Sequence, residues 1–338
     1  MRTATSLLAL CITIAATGLV SPAAAQQWVP PRTPDGHPDF QGNWSNATIT
    51  PFERRDGQEP VLSWDEVAEL EGTVGSRPLT DPGRQPAVTG GRVGGSDGQG
   101  GDLSYNSVYL DRGDRVAIVN GEPRSSLITN PPNGRVPALT PAGQRRVEAA
   151  REFRSQFGAY DNPESRPLGE RCIVSFGTNA GPPMLPNGFY NNNYSIVQTA
   201  DHVVIMTEMV HDVRIIRLGE RAPLPTDVRP WFGDSWGRWE GDTLVVETTN
   251  LNPRHPFRGV PTTDALKITE RFSRFDEGTL TYEFTVDDPT SYTQPWGGQV
   301  PFRKFDELLY EYSCHEGNYA LQGIMSGARY QEELEARN

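Results

Sequence analysis

NYSIVQTADHVVIMTEMVHDVRIIRL, residues 193–218, followed after a Pro-rich link by GDSWGRWEGDTLVVETTN, residues 233–250, decides the fold. Short apolar runs stand at 195–199, 203–208, 213–218 and 243–249. Each is rich in Val, Ile and Thr and is bounded by turn residues, which predicts antiparallel strands rather than helices. Polar side chains capable of chemistry lie in or beside these runs: Glu208, His211, Asp212, Arg214, Asp234, Arg238 and Glu247.

Downstream the pattern continues at 266–275, 279–287, 299–305 and 307–314. Asp276-Glu277-Gly278 reads as a tight hairpin between two long strands. Within the second of these, Leu280, Tyr282, Phe284 and Val286 alternate with Thr281, Glu283, Thr285 and Asp287, so one face is apolar and one polar. The expected fold is mainly β: an antiparallel meander over 195–314, closed or nearly closed into a lipocalin-like barrel because closure removes exposed strand edges. A β-sandwich is the alternative. Upstream, GNWSNATI (42–49) predicts a first strand, and its Gly-x-Trp resembles the start of lipocalin-type barrels. Further strands are expected at 107–110, 115–119 and 125–129.

Helices are expected to be few and short. Ser63 followed by Glu66 forms a capping box for 62–71, and Thr140-Pro141 opens a helix running to about Gln156. The tail, 319–338, reads as a terminal helix. Residues 72–104, with TGGRVGGSDGQGGD at their centre, carry too little apolar surface to pack and read as a flexible loop. The run has no Lys-Ser/Thr ending and no preceding strand, so it is not a phosphate loop.

The first residues set an address. Met-Arg-Thr, a short apolar core and Ala-x-Ala form a secretory signal peptide over 1–25, cleaved near Ala25. A polar, Pro-rich leader follows at 26–41, and 42–338 reads as a single β-rich domain. No stretch of the mature chain is long and apolar enough to span a bilayer. Cleavage removes Arg2, so the net charge of −12 becomes one unit more negative. Such a surface repels nucleic acid and leaves a small molecule as the expected partner. The expected location is periplasmic or secreted. Of three cysteines, Cys172 and Cys314 remain after cleavage, and an exported chain with one pair predicts one disulfide.

Several longer motifs resemble a widespread family of exported bacterial proteins of uncharacterised function. They are SSLITNPPNGRVPALTPAG (125–143), RPLGERC (166–172), YNNNYSIVQT (190–199), EMVHDVRII (208–216), GRWEGDTLVVETTN (237–250), TVDDPTSYTQPW (285–296) and YEYSCHEGNY (310–319). The resemblance covers nearly all of the mature chain. It implies an envelope location and no particular activity.

Candidate chemistry gathers at strand ends. Strand alternation puts Asp212 and Arg214 on one side and His211 on the other. His315 and Glu316 follow Cys314, so a disulfide would bring them toward the neck of the barrel. We take His211, Asp212, Arg214, His315 and Glu316 as candidate acid/base residues, with both imidazoles expected in one cavity beside Arg214 or Tyr190. Tyr190, Asn192, Tyr194 and Glu208 are the candidate substrate contacts. No cofactor is expected, and a metal ion at His211 and His315 is the least favoured variant because their spacing matches no metal motif. The competing reading is a hairpin whose Asp212 and Arg214 simply pair. Asp234 and Arg238 are likewise expected to pair, with Trp239 packed beside them. Glu247 and Glu283 matter chemically only if they face a barrel interior.

Two functions remain open at this point: a cofactor-independent lyase, isomerase or hydrolase acting on a small organic molecule or glycan, and a non-catalytic lipocalin-like binder. A polar cavity holding both histidines would favour the enzyme; His211 outside the barrel would favour the binder. The absence of G-x-S-x-G, H-E-x-x-H and Rossmann patterns disfavours serine hydrolase, zincin and dinucleotide enzyme.

Overall fold

The computed structural model describes residues 28–76, 111–175, 179–187 and 191–337. The signal segment, most of the Gly-rich loop, the strand expected at 107–110 and Tyr190 lie outside the described residues.

Nine strands close into a mixed barrel. The first is β1 (Gly42–Ser45); small outlying strands β2 (Ile118–Val119), β3 (Glu122–Pro123) and β4 (Ile128–Asn130) follow. The wall then runs through β5 (Asn193–Gln198), β6 (His202–Thr207), β7 (Val213–Leu218), β8 (Asp234–Glu240), β9 (Thr243–Thr249), β10 (Lys267–Arg274), β11 (Thr279–Asp287) and β12 (Trp296–Phe305). Closure falls to β1, which pairs with β5 on one side and β12 on the other: Trp44 stands opposite both Tyr194 and Lys304. With both its edges occupied, the ring has no free rim at that point.

The inward phase of the strands is apolar and large. Trp44, Tyr194, Phe272, Tyr282, Phe302 and Trp296 are fully buried. Their rings meet at 5.1 Å (Tyr194–Phe302), 5.5 Å (Tyr282–Phe302) and 5.0 Å (Phe272–Tyr282). On β11, Leu280, Tyr282, Phe284 and Val286 all lie in this core, as the alternation predicts. Each such side chain contributes about 1.5–3 kcal/mol by leaving water.

Two expectations about the wall need correction. Where no strand is expected between the Pro-rich link and 243–249, Asp234–Glu240 forms strand β8, antiparallel to β9 over its whole length. Three glycines and paired charges hide its alternation. The ring is also not wholly antiparallel: β7 and β8 run parallel through Arg217↔Trp236 and Leu218↔Gly237, because the long link 219–233 carries the chain back to the same end. At this seam Gly237 has no room for a side chain; a Cβ would come within 2.8 Å of Leu218 and 3.0 Å of Ile216.

The strand expected at 307–314 does not form. Leu308 and Tyr310 are each 83% exposed, since β1 already occupies the edge of β12 that this segment would have needed.

The helices match their caps. In α1 (Trp64–Ser76), Ser63 N donates to Glu66 Oε2 at 2.7 Å and Glu66 N donates to Ser63 Oγ at 3.3 Å. In α2 (Pro141–Ser155), Thr140 Oγ1 accepts from Gly143 N at 3.0 Å. The terminal helix, α3 (Ala320–Ala336), has no buried residue. No helix among the described residues is long and apolar enough to cross a membrane.

Candidate functional site

One end of the barrel carries charge inside an apolar wall. On β7, Arg214 shares the inward phase of Ile216; on β10, Glu270 sits between the inward Ile268 and Phe272. Arg214 Nη1 donates to Glu270 Oε1 at 3.0 Å and Nη2 to Oε2 at 2.5 Å, a bidentate pair. The Tyr282 hydroxyl donates to Glu270 Oε1 at 2.8 Å. All three side chains are buried. Burial works to lower the Arg214 pKa, but the charge and hydrogen bonds of Glu270 outweigh it and hold the guanidinium charged. The Tyr282 phenol is pushed well above its ordinary value, first by burial and then by the Glu270 charge.

The segment 179–187 plugs this end. Met184 and Leu185 join the barrel core, Ala180 is buried beside them in sequence, and Met184 N donates to the Tyr282 hydroxyl at 2.9 Å. The Tyr194 hydroxyl donates to Asn179 O at 3.0 Å and accepts from Asn46 Nδ2 at 3.1 Å. Asn179 Nδ2 donates to Asn191 O (3.1 Å) and Asn192 Oδ1 (3.2 Å), and Asn187 N donates to Asn192 Oδ1 (3.0 Å). Plug and wall are therefore joined by amides and phenols rather than by apolar contact alone. Burial raises the Tyr194 pKa, while the Asn46 hydrogen bond and the Arg214 charge act against it.

The histidines stand elsewhere. Their rings are close, with centroids 6.5 Å apart, and the segment carrying His315 is held by Cys172 and Cys314, whose sulfurs lie at the disulfide distance of 2.04 Å. Both imidazoles are exposed, however, and Arg214 points into the barrel away from solvent, so the three do not share one cavity. His211 Nδ1 lies 3.1 Å from Tyr312 O. The turn that presents His211 is strained: Val210 and His211 have φ of 61° and 48°, in the left-handed region. Each such residue costs on the order of 1–3 kcal/mol, most of all when β-branched. Beneath the turn, buried Asp212 accepts from Ser175 N at 2.6 Å. Burial pushes its pKa up to about 6, although the Ser175 hydrogen bonds and His211 oppose the rise. Glu316 is exposed. Glu208 is buried and accepts from Asn193 Nδ2 (2.8 Å) and Tyr310 N (3.3 Å).

Other expected pairings are replaced. Arg214 pairs with Glu270, not Asp212. Asp234 pairs with Arg217 and accepts from Leu224 N at 2.8 Å, because the parallel seam brings Arg217 beside it. Arg238 instead reaches Glu247 (3.0 Å) and Glu240 (2.9 Å) on the outer face. Glu247 thus faces outward. Glu283 does too, accepting from Gln299 Nε2 in an outer-wall groove of ≈ 180 Å³.

Residue reading by alternation missed Glu270, Asn46 and Asn179, and took Tyr282 only as core. The signal for Glu270 was present: a carboxylate in phase with Ile268 and Phe272 occupies a position that patterning reserves for apolar residues. Asn46 and Asn179 gave none, since asparagines in irregular segments normally make turns.

Among the described residues no group of three or more His, Cys, Asp or Glu side chains is arranged to hold a metal ion. No protein-family model and no curated protein matches the chain.

Proposed function

We propose that the protein is an exported, lipocalin-like barrel that binds a small uncharged molecule at its plugged end. The observation that carries this reading is the buried Arg214–Glu270–Tyr282 cluster. A barrel needed only as a scaffold is served as well by apolar side chains, since exchanging a buried ion pair for well-packed apolar residues is often neutral or stabilising by about 1–4 kcal/mol. A few polar groups in an apolar enclosure are what orient a small ligand. The charges of Arg214 and Glu270 cancel, so an ionic ligand would be left without a partner in the interior. The signal-like N-terminus and the paired cysteines support export.

The test is a thermal-shift screen of charged and uncharged small molecules against the oxidised protein and the double variant Arg214→Met/Glu270→Leu. An uncharged ligand should raise Tm in the parent and lose that effect in the variant. Ligands that act equally on both proteins, or a screen without any response, would refute the reading.

A second reading rests on a separate observation, the strained Val210-His211 turn above an Asp212 that titrates near pH 6. Strain and raised carboxylate pKa values cluster where acid/base chemistry occurs. On this reading His211, Asp212 and His315 would serve a solvent-facing lyase, isomerase or hydrolase. His211→Ala should then abolish turnover of any substrate found while leaving melting behaviour nearly intact. Retained turnover rejects it.

A further inference from the structure

The plug network contains atoms that nothing in the fold satisfies. Asn46 Oδ1, Asn179 Oδ1 and Arg214 Nε are buried without a hydrogen-bond partner, and the three residues are 0%, 0% and 3% exposed. Their residues surround one phenol: Asn46 meets the Tyr194 hydroxyl through its amide, Asn179 through its backbone carbonyl, and the Arg214 charge reaches it.

Their chemical sense is fixed by the surrounding bonds, not by choice of amide orientation. Tyr194 has one hydroxyl proton, and it goes to Asn179 O; Asn46 must therefore present its NH₂ to Tyr194, leaving Oδ1 as the free atom. Asn179 Nδ2 has two oxygen partners, Asn191 O and Asn192 Oδ1, so its Oδ1 is also the free atom. Arg214 spends its two Nη groups on Glu270, and Nε–H remains as a donor. The unmet demand is two acceptors and one donor.

Resting on the binding reading above, we infer that this cluster is a subsite for a primary carboxamide or urea-type head group. Such a group supplies two N–H donors for the asparagine oxygens and one carbonyl for Arg214 Nε. A carboxylate supplies no donor and adds an uncompensated charge. An alcohol supplies one donor, leaving one asparagine unmet. Met184 and Leu185, the apolar residues of the plug, are fully buried beside this network, so binding requires the plug to shift.

The experiment measures binding of benzamide, N-methylbenzamide, N,N-dimethylbenzamide, benzoate and benzyl alcohol to the oxidised protein by titration calorimetry, with a crystal structure grown with and without benzamide. Benzamide should bind about tenfold or more tightly than benzoate or benzyl alcohol, because unpaired buried polar groups are what reject an analogue. Affinity should fall stepwise as one and then both N–H groups are methylated, a series that needs no variant. Asn46→Leu, if folded, should weaken benzamide by a similar factor. Equal affinities across the series, no benzamide binding, or a single buried water only that bridges the three atoms and persists with benzamide present would overturn the subsite. Binding of some other uncharged molecule, lost in Arg214→Met/Glu270→Leu, would sink the subsite and leave the broader reading standing; a silent screen sinks both.

Discussion

The barrel wall and the C-terminal segment 306–337 solve the problem of staying attached in opposite ways. The wall holds by burial: every inward position of β11 is in the core, and each strand is bonded on both sides. The C-terminal segment holds by ties. Its helix has no fully buried residue, and its links include the Cys172–Cys314 bridge, Asn43 Nδ2 to Glu307 O (2.8 Å), Tyr310 N to Glu208, Tyr312 O at His211, and Arg329 Nη2 to Tyr160 O (2.6 Å). The difference teaches where substitutions will register. Damage in the wall strikes the packing of the folded state, whereas damage to the ties frees chain: locally in the folded state and, for the disulfide, also in the unfolded ensemble.

The sharpest way to break the comparison is inside the wall. Glu270→Gln leaves the Arg214 charge buried without its counter-ion and should cost about 3–5 kcal/mol in urea unfolding, while Arg214→Met/Glu270→Leu should return close to the parent. If the single variant is harmless, the pair is not buried as described. Phe284→Ala should likewise cost about 3–5 kcal/mol through the cavity it leaves. A change within about 0.5 kcal/mol, the usual range for exposed sites, would place Phe284 on the surface and the register of β11 in error.

Replacing Cys172 and Cys314 by Ser tests the ties. It should lower global stability by about 2–5 kcal/mol through the freed unfolded chain. It should also open 306–320 to limited proteolysis while the barrel fragment survives; loss of the barrel at the same protease dose would show that the segment is part of the core.

Asp212 gives a smaller, pH-dependent effect. Its folded pKa is raised from 3.8 to about 6, so the folded chain holds the proton more tightly than the unfolded chain does. That contribution is fully present below about pH 4 and is lost as pH rises through about 6. The parent, relative to Asp212→Asn, should therefore lose stability across this window, by at most about 1.4 kcal/mol per pH unit. A flat difference would mean that Asp212 is hydrated. The smallest effect belongs to α3. Deleting the residues after Tyr319 should change unfolding free energy by less than about 1 kcal/mol, since Leu321, Ile324, Met325 and Leu334 are only half-buried and no side chain of the helix is fully buried; a larger change would mean that the helix is part of the core.

The two regions also differ in how far they could be read from residues alone. In the wall, the strand pattern rich in Val, Ile and Thr located eight of the nine ring strands to within a few residues, because each such strand has one face in the core. It failed at β8, where glycine replaces the inward side chain at position 237 because β7 packs too close for one. In the C-terminal segment the same alternation misled. Leu308, Tyr310 and Tyr312 have strand spacing, but whether they find an edge depends on β1, more than 250 residues away in sequence. The site shows the same limit. The disulfide and the closeness of His211 to His315 followed from a lone cysteine pair. The pairing of Arg214 with Glu270 did not, because it depends on which strands become neighbours across the lumen.

β1 has a topological consequence of its own. The other eight barrel strands come from one continuous stretch, and β1 alone arrives from the N-terminal side to fill the last slot between β5 and β12. Synthesis delivers this slat long before the slot exists, so ring closure is a long-range event and sets a slow step in folding. Until it docks, the edges of β5 and β12 are open to any extended chain of the right pattern, including the same four residues of a neighbour. The slat and the rest of the ring are thus natural halves for complementation: a barrel deprived of 28–46 should be restored by those residues added as a separate peptide, or rejoined after Phe305 in a permuted chain.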